Sequence, residues 1–493
     1  MTTNHHLYQI NTRVFLRRFD TENRKARLDD IPRSYWEHLA EKGFDYIWLM
    51  GIWKICESTI EKYCFKEGAT RDSFSEALKD FRREDVIGSP FAVDRYEVSP
   101  TIGTEESVRN VRSVLNDLGM KLILDFVPNH FSADSSLIQT DPYIFLEAVS
   151  DAFIRDPHTF YRPSENDGRT FAHGRDPFFP AWEDTVQVNY FNPDAREFMV
   201  NTLMYLTGLC DGVRCDVAML LLNDVFGNTW KEVLSETGFE RPEEEFWKAA
   251  VESVKKVTPG FIFIGEVYWD KEWELQQLGL DYTYDKRLTD RLKAGNVKEI
   301  RDHLLAETDF QNKSVRFVEN HDEERAAAAF GEERSEAAAI IISTLQGMRF
   351  YHDGQFEGKK IRLPVQLGRE PVEPLNKGLS DFYEQLLRII NTPVFKKGEW
   401  SLLQTHPAWE RDVTYPNILA WAWKYESEKR LVLVNYSDAI STCRVNPDVD
   451  GYSGQFELVD LLNNQTYTRS VEEARHPGIY IELKSYKSHI FAY

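Results

Sequence analysis

Eight short segments of strand character, each followed by a longer stretch, constrain this chain more than any other feature. They lie near Leu7–Phe15, Asp45–Gly51, Lys121–Phe126, Gly212–Asp216, Phe261–Glu266, Asp281–Tyr284, Val315–Glu319 and Arg349–Tyr351. Several of the intervening stretches have helical periodicity. Thr104–Leu118 carries Glu105 and Glu106 near its start and Gly119 just past its end, a start and a stop for a helix. Asp194–Leu209 follows Asn192-Pro193 and repeats Phe198, Leu203 and Leu206 at helical spacing. Glu332–Leu345 is rich in Ala and Ile and runs into Gly347. Strand–helix alternation of this kind, eight times over, predicts an α/β fold, a (β/α)8 TIM barrel.

Two connections exceed what a simple barrel loop needs. Cys56–Ser99 is charged. Phe131–Phe191 is rich in Asp, Pro, Gly and aromatics, with Pro157, Pro163, Pro177 and Pro180. Long loops in a compact domain are usually functional, and loops that follow strands build the active face of a barrel. Residues 131–191 are therefore expected to form a small subdomain inserted after the third strand. After about Pro393 the texture changes. Ile418–Lys424, Arg430–Tyr436, Gly454–Leu461 and Gly478–Leu483 alternate like short strands, which predicts a C-terminal antiparallel β-sandwich over 394–493 beside a catalytic barrel over 1–393.

The chain of 493 residues has 59 Lys and Arg against 80 Asp and Glu, a formal net charge of −21, which argues against nucleic acid as a partner. No apolar run reaches the length of a membrane span, and the start has neither the basic nor the apolar region of a signal peptide. His5 and His6 read as a solvated terminus. Five cysteines (Cys56, Cys64, Cys210, Cys215, Cys443) lack zinc-like spacing and read as reduced thiols of a cytoplasmic protein. The sequence leaves the oligomeric state open.

On a barrel, residues at the carboxyl ends of strands are the catalytic candidates. Here they are Asp125, Asn129 and His130 after strand three, Arg214 and Asp216 on strand four, Glu266 closing strand five, and His321 and Asp322 after strand seven. Arg214 and Asp216 stand two apart and point the same way in a strand. Alone they read as a structural ion pair, in which the cation keeps the aspartate ionised. Cys215 between them is expected to face the helix layer. Glycoside hydrolysis needs two carboxyl groups flanking the scissile bond, one ionised and one protonated. Asp216 suits the first role. Glu266, ending the apolar run Phe261-Ile-Phe-Ile264, suits the second, because desolvation raises a carboxyl pKa. His130 and His321 offer donors for sugar hydroxyls, and Asp322 can clamp two of them.

Asp125-Phe-Val-Pro-Asn-His130, Gly212-Val-Arg-Cys-Asp216, Gly265-Glu266 and Glu319-Asn-His-Asp-Glu-Glu-Arg325 resemble, in order and placement, the signature motifs of the α-amylase family, glycoside hydrolase family 13. Phe91–Thr104 and Gly347-Met-Arg-Phe-Tyr-His-Asp-Gly354 resemble further segments of it. The resemblance implies Asp216 as nucleophile, Glu266 as general acid/base and Asp322 as transition-state stabiliser. Arg214 would orient Asp216, His130 and His321 would hold the sugar beside the scissile bond, Asp125 would brace the site, and Phe91 would stack where a Tyr is usual. It implies retention of anomeric configuration on α-1,4-linked glucans (maltodextrin, starch or glycogen), with carboxyls about 5–5.5 Å apart. Glucan transfer and exo-acting glucosidase activity, including on trehalose- or sucrose-type substrates, use the same residues. A non-catalytic relative would have lost carboxylates of the triad.

Departures from the pattern bear on substrate and metal. Ala218-Met219-Leu220 stands where many α-amylases carry Lys-His, and Gln355 and Phe356 replace an acidic pair. Calcium is possible for the family, but Val186-Gln-Val-Asn189 ends in Asn where a ligand Asp is common, and Asn129 alone is no case for a metal. The family's calcium is therefore not predicted. Trp182, Tyr190, Trp269 and Trp273 divide between sugar stacking and core packing.

Overall fold

The computed structural model describes residues 3–66, 69–163 and 168–493, with the side chains of 69–71 left aside. Parts of both long connections (67–68 and 164–167) and the first two residues lie outside the described residues. Among those described, eight parallel strands close into a barrel: β1 His6–Asn11, β2 Tyr46–Met50, β3 Lys121–Phe126, β4 Gly212–Cys215, β5 Ile262–Gly265, β6 Tyr282–Tyr284, β7 Ser314–Arg316 and β8 Met348–His352. Each pairs with its sequence neighbour, and β8 returns to β1. All eight match the segments expected from sequence. Two expectations ran long: Thr12–Phe15 turns into a short helix, and the seventh strand ends at Arg316, short of the expected Glu319.

The strands are apolar on both faces because each is covered twice. Leu7, Trp48, Ile123, Ile264, Tyr284, Phe317 and Phe350 fill the barrel interior. Val213 and Cys215 face the opposite way, into the large core under the helices, as alternation predicts. The helix Glu105–Asp117 starts at Thr104, whose hydroxyl accepts from Ser107 N at 3.2 Å while Ser107 Oγ accepts from Thr104 N. The helix Pro193–Leu206 has proline in its first turn and Asn192 accepting from Asp194 N at 3.0 Å.

His6 corrects one reading. It is fully buried at the head of β1, with Nε2 3.0 Å from Arg349 Nη1, and only His5 keeps partial exposure. The strand signal began at His6; the polar run before Leu7 hid it.

The insertion after β3 contains a two-stranded sheet, His130–Ser132 against Thr185–Gln187, and a three-stranded one. Beyond the barrel, a six-stranded antiparallel sheet and a three-stranded sheet enclose a separate core of Ile418, Leu431, Leu433, Cys443, Phe456 and Ile481. Glu399–Leu403, Ser441–Val445, Gln465–Ser470 and Ser488–Ala492 add strands that the sequence reading did not place. No described helix is long and apolar enough to cross a membrane.

Candidate active site

Register brings the candidate residues together. β4 lies between β3 and β5, so Arg214 stands beside Asp125 on one side and Ile264 on the other. The Arg214 guanidinium, 1% exposed, forks between two carboxyls: Nη1 donates to Asp216 Oδ1 and Nη2 lies 2.8 Å from Glu266 Oε2. Rings of Trp48, Phe91 and Tyr284 surround it at 5.1, 5.5 and 5.7 Å, excluding water while their faces favour its charge.

Glu266 has two further partners. Val217 N donates to Oε2 at 2.8 Å and the Tyr268 hydroxyl donates to Oε1 at 2.7 Å. Val217 takes φ 38°, a left-handed conformation that a β-branched residue rarely adopts. The chain turns there directly after Asp216, and the turn aims the amide at Glu266; such local strain clusters at functional sites.

Burial pushes the carboxyls of both Asp216 and Glu266 up, Arg214 pulls both down, and the charge of Asp322 raises both. One shared guanidinium compensates one negative charge, so the pair favours holding a single proton. This amends the expectation that Arg214 alone keeps Asp216 ionised: the fork is divided, and desolvation opposes it.

Asp322 differs. Its side chain is 49% exposed to the barrel mouth, and His321 Nε2 lies 3.0 Å from Oδ2. Burial of its surroundings pushes the carboxyl up, but the charges of His321, Arg214 and Arg362 prevail and bring it down to about 2. Gln9 on β1 orients His321, its amide nitrogen 2.7 Å from Nδ1. That contact fixes the ring so that Nε2 faces the Asp322 carboxylate. Phe91 lies against His321 with ring centroids 5.3 Å apart.

Asp125 is fully buried; Trp48 Nε1 donates to Oδ1 at 2.9 Å and Gly51 N to Oδ2 at 2.6 Å. Both of its oxygens are engaged, and it stands beside Arg214 in register. His130 is 5% exposed, against Trp182 with ring centroids 5.2 Å apart, and burial holds its imidazole down to about 4. Of the other aromatics, Tyr190 is core, with its hydroxyl on Pro128 O, while Trp269 and Trp273 stand nearer the surface. Trp48, Tyr268, Tyr284 and Gln9 were missed from sequence. An aromatic in or just past a strand end was the only available signal for the first three.

A calcium ion does not fit beside Asn129. The oxygens gathered at Asn129 are its own carbonyl, its Oδ1 and Val188 O, and they converge on Gln187 Nε2 at 2.8, 3.0 and 3.1 Å. A hydrogen-bond donor, not space for a cation, stands at their centre.

The family described as "Alpha amylase, catalytic domain" matches residues 37–361, about two thirds of the chain. Alpha-amylase 3 of Dictyoglomus thermophilum is 24% identical over 294 residues, covering 56% of this chain and 55% of that protein. Alpha-amylase 2 of the same organism is 22% identical, over 95% of this chain and 79% of that one. The chain thus spans about half the length of the first relative. A solved noncanonic maltogenic alpha-amylase from Thermotoga neapolitana superposes with a TM-score of 0.69 at 19% identity, covering 99% of this chain and 98% of that one. With the family's match running from residue 37 to residue 361, through all the barrel strands except β1, the chain belongs to the α-amylase family.

Proposed function

We propose that the protein is a retaining α-glycoside hydrolase that acts on α-1,4-linked glucans or oligosaccharides. The observation that carries this reading is the single buried guanidinium of Arg214 gripping the carboxyls of both Asp216 and Glu266. One guanidinium that reaches both carboxyls turns them onto the same site, the arrangement that a double displacement by a nucleophile and an acid/base uses. Asp216 is the nucleophile. Its carboxylate attacks the anomeric carbon while the Glu266 proton passes to the leaving oxygen, which yields a covalent glycosyl ester. Glu266, now ionised, takes a proton from water, the water oxygen attacks the same carbon, and Asp216 leaves as carboxylate. Asp322, low in pKa and open to the mouth, holds the sugar hydroxyls and faces the positive charge of the transition state. His130, His321 and Phe91 line the sugar beside it, and Asp125 braces Arg214.

Maltoheptaose hydrolysis followed by NMR tests the reading. The first-formed reducing sugar should be the α-anomer, and Asp216→Asn should abolish turnover. Appearance of the β-anomer first would refute the double displacement.

A further inference from the structure

Two segments outside the proposed chemistry meet over one side of the barrel mouth: the connection after β2 and the chain after β8. Val86, Phe74 and Leu78 share a small core with Leu367, against which Ile361 and Leu363 pack. The backbones are joined by Ile87 N to Gln366 O and Gly368 N to Asp85 O, both 2.8 Å. Arg369 grips both oxygens of Asp85 at 2.6 and 2.8 Å. From the turn after β1, Arg13 donates to Gly88 O at 3.0 Å and to Val365 O at 2.6 Å, and Arg18 spans Asp353 at 2.5 Å and Glu370 at 3.3 Å. The result is a strap held on three strand-end loops, those of β8, β1 and β2.

Its side of the mouth follows from ring order. β5, which delivers Glu266, stands four positions from β1 in the eight-membered ring, hence diametrically opposite. A general acid protonates the departing oxygen, so the leaving group lies toward Glu266 and the strap stands on the glycone side. There a small cavity beside His321, lined on the strap side by Arg362, Leu363 and Glu370, measures about 20 Å³. That is room on the scale of one water molecule, not of a pyranose ring.

We propose that the strap closes the groove one sugar beyond the scissile bond, so that the enzyme takes the non-reducing terminal glucosyl unit of a glucan or oligosaccharide and cuts exo. This rests on the glycosidase reading above. Arg362, on the strap and lining the same small cavity as His321, is then placed to meet the terminal hydroxyls of that unit.

The test compares p-nitrophenyl maltoheptaoside with the same compound blocked at its non-reducing end by an ethylidene acetal, with products separated by chromatography. The free compound should lose single glucose units, and the blocked one should react about a hundredfold more slowly or less, the scale of exclusion that a fitted pocket achieves. Comparable cleavage of both would overturn the closed end while leaving the glycosidase reading intact; cleavage of neither would overturn the glycosidase reading and the proposal with it. Combined Arg18→Ala and Arg369→Ala should loosen the strap and raise cleavage of the blocked compound relative to the free one. An unchanged ratio in a variant that still cleaves the free compound counts against the strap as the cause.

Discussion

Gln187 Nε2 lies 2.8 Å from the carbonyl oxygen of Asn129 and 3.0 Å from Oδ1 of the same residue, with Val188 O as a third acceptor. One neutral amide thus ties the inserted strand Thr185–Gln187 to the loop after β3. Gln187 is also the register partner of His130, whose ring nitrogen Nδ1 is 3.2 Å from Asn129 Nδ2. The amide therefore positions His130. Chelators should leave the melting temperature unchanged. Gln187→Ala should cost about 1–3 kcal/mol, the penalty for stranding buried acceptors, read by urea unfolding. Gln187→Glu replaces donors by acceptors, and should be destabilised without divalent cations and recover as calcium is added.

The barrel was legible because its strands are short apolar runs with polar residues at one end, and those ends carry the candidate carboxyls. What could not be read depends on distance along the chain. Gln9 orients His321 across 312 residues, and Arg13 bolts the loop after β2 to Val365 across 352. Nothing local distinguishes these polar side chains from solvated ones. His6 failed for a related reason, since burial beneath Arg349 is a property of the closed ring and not of its neighbours in sequence. The departure at 186–189 showed that a ligand was absent, but only the fold shows a donor in the gap.

Arg214 should resist even conservative replacement. A lysine ammonium is a point charge and cannot span Asp216 and Glu266 as the planar fork does. Arg214→Lys should lower kcat far more than it raises KM, because the interaction orients reacting groups rather than the bound sugar. For comparison, Glu266→Gln should lower kcat by about 10²–10⁴-fold, the usual share of a general acid, and less on substrates whose leaving group needs no proton. Steady-state kinetics on maltooligosaccharides and on an activated aryl glucoside separate the two.

Tyr268 sets up a pH test. Its hydroxyl donates to Glu266 Oε1, and a donor to a carboxyl favours the ionised form. Burial already raises the Glu266 pKa, and Tyr268→Phe removes an opposing influence. The alkaline limb of kcat/KM, where the acid loses its proton, should move to higher pH in the variant. The acidic limb should move less. A shift of the alkaline limb to lower pH would show that the hydroxyl favours the protonated acid instead.

His130 makes stability depend on pH in a defined window. Buried against Trp182, its imidazole titrates at about 4 in the folded protein, against about 6.5 when unfolded. Between these values the unfolded chain binds the extra proton, so stability is complete above pH 6.5 and falls as pH drops toward 4. A shift of this size corresponds to about 3 kcal/mol at most, at roughly 1.4 kcal/mol per pKa unit. Urea unfolding at intervals from pH 7 to pH 4 should show this loss superposed on that of other buried histidines, including His303, which also titrates at about 4. His130→Gln keeps a polar side chain but cannot titrate. The variant should be less stable at pH 7, where the native imidazole is neutral and hydrogen-bonded, yet lose less stability on acidification than the wild type. Parallel curves would show that the histidine is solvated in the folded state.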